Sequence, residues 1–329
     1  MKPSQIISAL HTLLDAHQPV FLWGPPGVGK SQVVAQVAAE RELALRDIRA
    51  VLLDPVDLRG LPRIENGLAL WCPPAFLPAE DDKGQGIIFL DELNAAPPLV
   101  QAACYQLILD RRIGEYRLPD GWRVMAAGNR EQDKAVTHRM PSALANRMVH
   151  LDFEVNTDDW LTWAESAGMA QELVAFIRFR PKLLHDFDPL SACKAFASPR
   201  SWSFVSKILE NKPDKSIEYE LLRGTVGDGA AAEFMGFLNV WRELPAVDDV
   251  LSNPKTAPVP SEPTALYAIC EALGAKACSE NAEALVYYAQ RLPAEFGVLL
   301  MREAVIHDEN LVQSEAFSTW ATANAHILM

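Results

Sequence analysis

The sequence predicts an α/β fold: a mainly parallel sheet covered by helices over residues 1–153, followed by an all-helical region. Three observations predict it. Short apolar runs alternate with stretches of helical periodicity, the pattern of a sheet buried on both faces. A glycine-rich turn, Gly24 to Gly29, joins the first of those runs to a helix. Beyond about Val155 the strand-like runs cease and helical spacing takes over.

Each element follows from its residues. Ile6, Ile7, Leu10, Leu13 and Leu14 fall at helical spacing and open the chain with an amphipathic helix, ended by Pro19. Val20 to Trp23 reads as a short buried strand, and Lys30 to about Glu40 as a helix. A further apolar stretch spans Leu43 to Val51. Between Asp54 and Pro78 the Asn66-Gly67 pair predicts a hairpin. Gly86 to Leu90 is the strongest central-strand candidate, and Leu99 to Asp110 reads as a helix. Gly114 to Pro119 reads as a short hairpin capped by Pro-Asp-Gly. Arg123 to Ala127 and Met148 to Phe153 are two more strands. Helices are expected at Trp160–Ala167, Gln171–Phe179, Ser201–Leu209 and Tyr219–Val226. Ser252 to Pro263, with four prolines, reads as a linker or long loop. Two or three more helices complete the chain.

The bulk composition narrows the function classes. With 329 residues, 49% hydrophobic and 22% charged, the chain is an ordinary globular protein of one or two domains. Its 30 basic and 43 acidic residues leave a net charge of −13, which repels nucleic-acid phosphate unless a local basic patch intervenes. The five cysteines are odd in number and form no C-x-x-C pair, so reduced, buried thiols are expected rather than disulfides or zinc. The first residues lack a signal peptide's apolar core, and no apolar run is long enough to span a bilayer. A cytoplasmic location is expected.

Two motifs carry chemistry. Gly24-Pro25-Pro26-Gly27-Val28-Gly29-Lys30-Ser31 fits G-x-x-x-x-G-K-[ST], with a strand before it and a helix after. Its glycines let backbone N–H groups turn inward around phosphate oxygens, and the helix N-terminus adds positive charge. Lys30 is expected to reach the β- and γ-phosphates of ATP, and the Ser31 hydroxyl to ligate Mg²⁺. The second motif is the apolar strand Ile87-Ile88-Phe89-Leu90 ending in Asp91-Glu92. Alternation along a strand sends these two carboxylates different ways. Asp91 would hold Mg²⁺ through its waters, and Glu92 would orient and deprotonate the attacking water.

With these residues in place the chain resembles the AAA+ ATPases. GPPGVGKS, IIFLDELN, VMAAGN, MPSALANRM and SPRSW occur in the order seen there. The details resemble the MoxR family, whose two inserted hairpins are matched by DLRGLPRIENGLALWCPPAF and RRIGEYRLPDGW; the resemblance covers residues 4–210. It implies a P-loop NTPase (AAA+) core at residues 1–153, an all-α lid at 154–251 and a C-terminal helical region at 264–329 that either completes the lid or forms a docking surface. It implies that Asn129 is the first sensor, that Arg200 of Ser198-Pro199-Arg200 is the second, and that Arg147 is an arginine finger acting on a neighbouring subunit. The family usually has an acidic residue before that arginine and phenylalanine after it; Asn146 and Met148 stand there instead. Arg139 and Arg130 remain alternatives. The implied assembly is a homo-oligomeric, hexameric ring. The implied work is chaperone-like remodelling with a von Willebrand factor A partner protein. A motor or loader on nucleic acid is the alternative, opposed by the net charge.

His138, His150 and His185 show no ligand spacing, Asp54 and Asp57 read as loop acids, and Arg111-Arg112 is a small basic cluster at a hairpin base.

Overall fold

The computed structural model describes residues 1–133, 138, 140–191 and 193–324. It divides into two compact units. The first comprises Met1–Trp160, His185–Cys193 and Ser198–Ser201; the second comprises Leu161–Leu184, Lys194–Ala197 and the chain from Trp202 onward.

The first unit is a five-stranded parallel sheet with helices on both faces. In chain order its elements are α1 (Pro3–Asp15), β1 (Val20–Trp23), α2 (Lys30–Glu40), β2 (Ala44–Arg49) and α3 (Pro55–Arg59). A hairpin follows, β3 (Leu61–Glu65) and β4 (Leu68–Cys72), then β5 (Gly86–Asp91) and α4 (Pro98–Asp110). A second small hairpin, β6 (Arg112–Ile113) and β7 (Tyr116–Arg117), leads to β8 (Trp122–Gly128), α5 (Ser142–Ala145) and β9 (Val149–Asp152). The sheet order is β2-β5-β8-β1-β9.

Alternation along the strands builds two cores. Val20, Leu22, Ile87, Phe89, Met125 and Ala127 face Ile6 and Leu10 of α1 and Val33, Val34 and Val37 of α2. Phe21, Ile88, Leu90, Val124 and Ala126 face the other way, onto Val100, Cys104, Leu107 and Ile108 of α4. Burial on both faces explains why these strands read as unbroken apolar runs. Pairing of Trp23 with Gly128 and of Leu90 with Ala126 brings the C-terminal ends of β1, β5 and β8 out on one edge.

Both hairpins form, with one difference in detail. Asn66 (φ 52°) and Gly67 (φ 77°) make the turn between β3 and β4 in the doubly left-handed conformation that Asn-Gly favours. The second hairpin turns at Gly114 (φ 58°), not at Pro119-Asp120-Gly121. Those three residues instead lead into β8, where the Trp122 N–H donates to the Pro119 carbonyl. Asp54 and Asp57 are not idle loop acids: Asp57 accepts from the Asp54 N–H at 2.8 Å and caps α3.

The second unit is helical. It takes in most of α6 (Thr157–Ser166), α7 (Gln171–Phe179), the rest of α8 after its first turn (Pro199–Glu210), α9 (Lys215–Val226), α10 (Asp228–Arg242) and α11 (Val247–Ser252). Beyond these lie α12 (Pro263–Gly274), α13 (Ala282–Ala289), α14 (Ala294–His307) and α15 (Glu315–Ala323). Among the described residues four α-helices therefore follow the proline-rich stretch, one or two more than periodicity suggested. The stretch itself is packed: Ala257 is buried, Tyr288 donates to the Pro258 carbonyl, and Arg291 donates to the carbonyls of Pro254 and Ala257. Prolines in place of N–H donors left those carbonyls to be satisfied by side chains. No helix among the described residues is long and apolar enough to cross a membrane.

All five cysteines are free, but only Cys104 and Cys270 are buried; Cys72, on the outstanding hairpin, and Cys193 are exposed.

Candidate functional site

The site forms at the C-terminal edge of the sheet, where ligands of open α/β sheets gather. Gly27 (φ 79°) and Gly29 (φ 100°) hold the loop between β1 and α2 in left-handed backbone that side chains resist. A Cβ on Gly27 would also lie 2.8 Å from the Ser198 hydroxyl, so the Ser198–Ser201 segment presses directly on the loop. The rest of the loop, Gly24, Pro25, Pro26 and Val28, leads from Trp23 into the first turn of α2.

Lys30 is 9% exposed, and its ammonium donates to the carbonyls of Gly24 (2.7 Å) and Pro25 (3.0 Å) and to Asn129 Oδ1 (3.1 Å). Burial lowers its pKa to about 8, against the opposing pull of Asp91 and Asp133; the charge of Arg200 lowers it further. A buried cation held by neutral oxygens favours an anion beside it.

Strand alternation places Asp91, two residues after Phe89, on the α2 face, where α2 begins. The Ser31 hydroxyl donates to Asp91 Oδ2 at 2.9 Å, and the other carboxylate oxygen accepts from the Glu92 N–H at 2.9 Å. Glu92 itself has left the strand: its φ of 54° is left-handed. A turn, rather than the pleat, therefore separates the two acids. Such backbone costs on the order of 1–3 kcal/mol in a residue with a side chain and concentrates at functional sites. The paired hydroxyl and carboxylate are hard oxygen donors of the kind Mg²⁺ accepts, alongside phosphate and water. Among the described residues no group of three or more His, Cys, Asp or Glu could hold a metal alone. A divalent ion here fits only as a partner of a phosphate ligand.

Asn129 follows β8 and is held from behind. Asn94, 2% exposed, donates its amide to the Asn129 carbonyl at 2.7 Å. Asn94 reaches it by lying across Gly128, where a Cβ would come within 2.0 Å of Asn94 Oδ1. Sequence reasoning passed over Asn94; its signal was a polar residue just after an acidic strand end, next to an alanine-rich turn. His185 was also set aside. It lies against the loop, hydrogen-bonded to the Pro26 carbonyl, and burial holds its pKa below the usual range while Asp133 opposes. Its Nε2 is buried without a partner. The His185 contact has no footprint in residue spacing.

Arg200, in the first turn of α8, enters the site through its backbone, donating its N–H to the Gly27 carbonyl at 3.1 Å. Arg130 stays within its own sheet edge, donating to the Phe153 carbonyl at 2.9 Å and pairing with Asp152 at 3.4 Å. Arg147 is the predicted residue that the fold does not bring to the others. It is exposed, between α5 and the start of β9. β9 runs parallel to β1 with Val149 beside Val20 and Asp152 beside Trp23. Arg147 thus lies at the opposite edge of the sheet from the loop, at least about 10 Å away along the strands. Arg139 lies outside the described residues.

Residues 19–148 match the AAA domain of the dynein-related subfamily. No curated protein matches the chain. Among solved structures, a RuvB mutant from Thermotoga maritima is similar at 15% identity, covering 82% of this chain and 81% of that one, with a TM-score of 0.40. NtrX from Brucella abortus, in complex with ATP, is similar at 15% identity, covering 99% of this chain and 64% of that one, with a TM-score of 0.42.

Proposed function

We propose that the AAA domain of this chain binds Mg-ATP at Gly24–Ser31 and hydrolyses it to ADP and phosphate, as one subunit of a ring of like subunits. The observation that carries this reading is the convergence of three separate segments, the start of α2, the end of β5 and the residue after β8, through the bonds Lys30–Asn129 (3.1 Å) and Ser31–Asp91 (2.9 Å).

Each residue then has a part. The loop N–H groups and Lys30 hold the phosphates, and the phosphate charge displaces Lys30 from its carbonyl partners. Ser31 and Asp91 hold Mg²⁺, which when bound neutralises charge on the transferring phosphate. Glu92 takes a proton from the attacking water. Asn129 positions that water or the γ-phosphate, steadied by Asn94. Arg200 reads the γ-phosphate from the start of α8. Arg147 cannot serve its own loop from the far edge, which fits a finger for a neighbour's transition state. The work driven by this cycle is chaperone-like remodelling of a target together with a von Willebrand factor A protein, as the MoxR resemblance implies. The alternative, a motor on nucleic acid, is opposed by the net charge of −13.

The test is ATPase activity per subunit against protein concentration with Mg²⁺ present. Activity that rises and then plateaus supports a shared site, and Arg147→Ala should abolish the rise while ATP still binds. An active monomer sinks the trans assignment. No activity at any concentration, with nucleotide bound, turns the reading from enzyme to nucleotide-gated scaffold.

A further inference from the structure

The edge of the sheet opposite the nucleotide loop holds a pocket of about 210 Å³, lined by Arg111, Arg123, Arg147 and His17 over an apolar floor that includes Ile108 and Val124. We propose that these three arginines form an oxyanion pocket that takes a single phosphate group. Pocket and charge stand on geometry alone; the source of the phosphate rests on the reading of Arg147 given above.

No carboxylate lines the pocket, and among the described residues none of the three arginines is in an ion pair. Arg111 donates to the carbonyls of Trp122, Leu118 and Pro119. Arg123 donates to the carbonyls of Asp120 and Trp122 and to His17 Nε2. Of five guanidinium N–H groups, each keeps two for a further acceptor. Those neutral partners orient the forks without cancelling their charge. Arg147 has no side-chain hydrogen bond in the structure among the described residues and is fully available.

The simpler explanation is helix ends. α1 and α4 finish at Asp15 and Asp110, and helix C-termini attract cations. Each backbone end carries only about half a negative charge, so the two ends offset about one arginine of the three, and the Asp15 carboxylate at the end of α1 is already paired with Arg41. The surplus repels itself: burial and the nearby Arg111 lower the pKa of Arg123, with Asp120 opposing. An anion relieves that repulsion. Size narrows the class, because drug-sized ligands need about 300–1,000 Å³. The volume matches one phosphate group rather than an enclosed whole nucleotide, and the forked donors match its oxygens. The chain's own nucleotide, at the other edge, cannot supply it. The phosphate is either the terminal group of a neighbouring copy's nucleotide or free phosphate.

The test has two arms. In the first, full-length protein carrying Lys30→Ala, which removes the loop's grip, is titrated with inorganic phosphate by calorimetry at fixed ionic strength. The same titration on ADP-saturated parent protein guards against a folding defect in that variant. Saturable binding is expected, weakened about tenfold by Arg147→Gln or Arg123→Gln, since each removes one charge-assisted hydrogen bond to the anion. The distant Arg223→Gln should change nothing. Absence of saturable binding, or equal binding by all variants, overturns the pocket. In the second arm, Arg123→Gln protein, with an intact loop, is mixed with Glu92→Gln protein, with an intact pocket. Recovery of ATPase activity identifies the neighbour's nucleotide as the source. Weakened binding in the first arm without recovery in the second identifies free phosphate. If the parent protein hydrolyses no ATP, the proposed function fails while the first arm still decides the pocket.

Discussion

At the scale of single residues, the site depends on buried polar groups placed by close contacts. Lys30 is the clearest, because burial leaves its folded-state pKa near 8. The loop binds an anion best with Lys30 charged, so affinity for ADP should hold steady below pH 8. Above it, affinity should fall towards tenfold per pH unit, as free protein must take up a proton to bind. Calorimetric Kd values between pH 7 and 9.5 check this, with Lys30→Ala expected to show a flat profile. Gly128 and Asn94 form a second case. Gly128→Ala drives a methyl into Asn94 Oδ1 and should cost about 1–3 kcal/mol in urea unfolding. In an Asn94→Ala background the penalty should shrink, with Phe21 Cζ, 2.9 Å from the new carbon, still to be accommodated. Equal penalties in both backgrounds would mean that Asn94 does not lie across that glycine.

Two elements behave in opposite ways. The hairpin of β3 and β4 is exposed at every residue, with Ile64 82% and Leu61 69% exposed, so it adds nothing to a core. Its base is narrow, since a Cβ on Gly60 would meet the Cys72 carbonyl. Replacing residues 61–72 with a two-glycine turn should therefore leave the melting temperature within about 2 °C of the parent, a small fraction of a core substitution's effect. The helical unit is the reverse. There Arg178 of α7 donates to Glu271 of α12 at 2.6 Å and to Glu303 of α14 at 2.7 Å, with Glu165 on its other arm. One guanidinium serves two buried carboxylates. Burial raises the Glu271 pKa to about 7, with Arg178 opposing and the Glu303 charge adding to the rise. A carboxyl raised on folding binds its proton more tightly in the native state. Its contribution is full below about pH 4.5 and is lost as pH climbs to about 7. Glu271→Gln should thus gain stability over the parent across that window, by up to about 3 kcal/mol, and run parallel to it above pH 7. Denaturation at pH 5 and pH 8 gives the comparison, and no difference between the two pH values would dismiss the raised pKa.

At the scale of the whole molecule, ligand and assembly set behaviour. A nucleotide that binds only the folded chain stabilises it by mass action, about 2.7 kcal/mol at one hundred times Kd. Calorimetric scans with ADP should raise a transition in the parent protein and leave Lys30→Ala unmoved. A shift in both would place the nucleotide elsewhere than the loop. Concentration matters for a different reason. The loop lies at one edge of the sheet and Arg147 at the other, so a single chain does not bring the two parts of the proposed site together, and the proposed activity should depend on protein concentration.

The sequence by itself determined the sheet, the loop and the acidic strand end. Their signals are local: apolar runs in β1, β5 and β8 reflect burial on both faces, and the glycines of the loop sit where backbone must turn left-handed. The Asn66-Gly67 turn was legible for the same reason. Other features were not, because they join residues far apart in the chain. Asn94 holding Asn129 and His185 against Pro26 depend on which segments become neighbours, a tertiary property, whereas the meeting of Ser31 and Asp91 was expected from their two motifs. Periodicity likewise missed the packing of the proline-rich stretch at residues 253–262, whose carbonyls are satisfied by Tyr288 and Arg291 from helices further on. The three arginines at the far edge come from a helix end, a strand start and a turn; only the folded sheet sets them around one pocket.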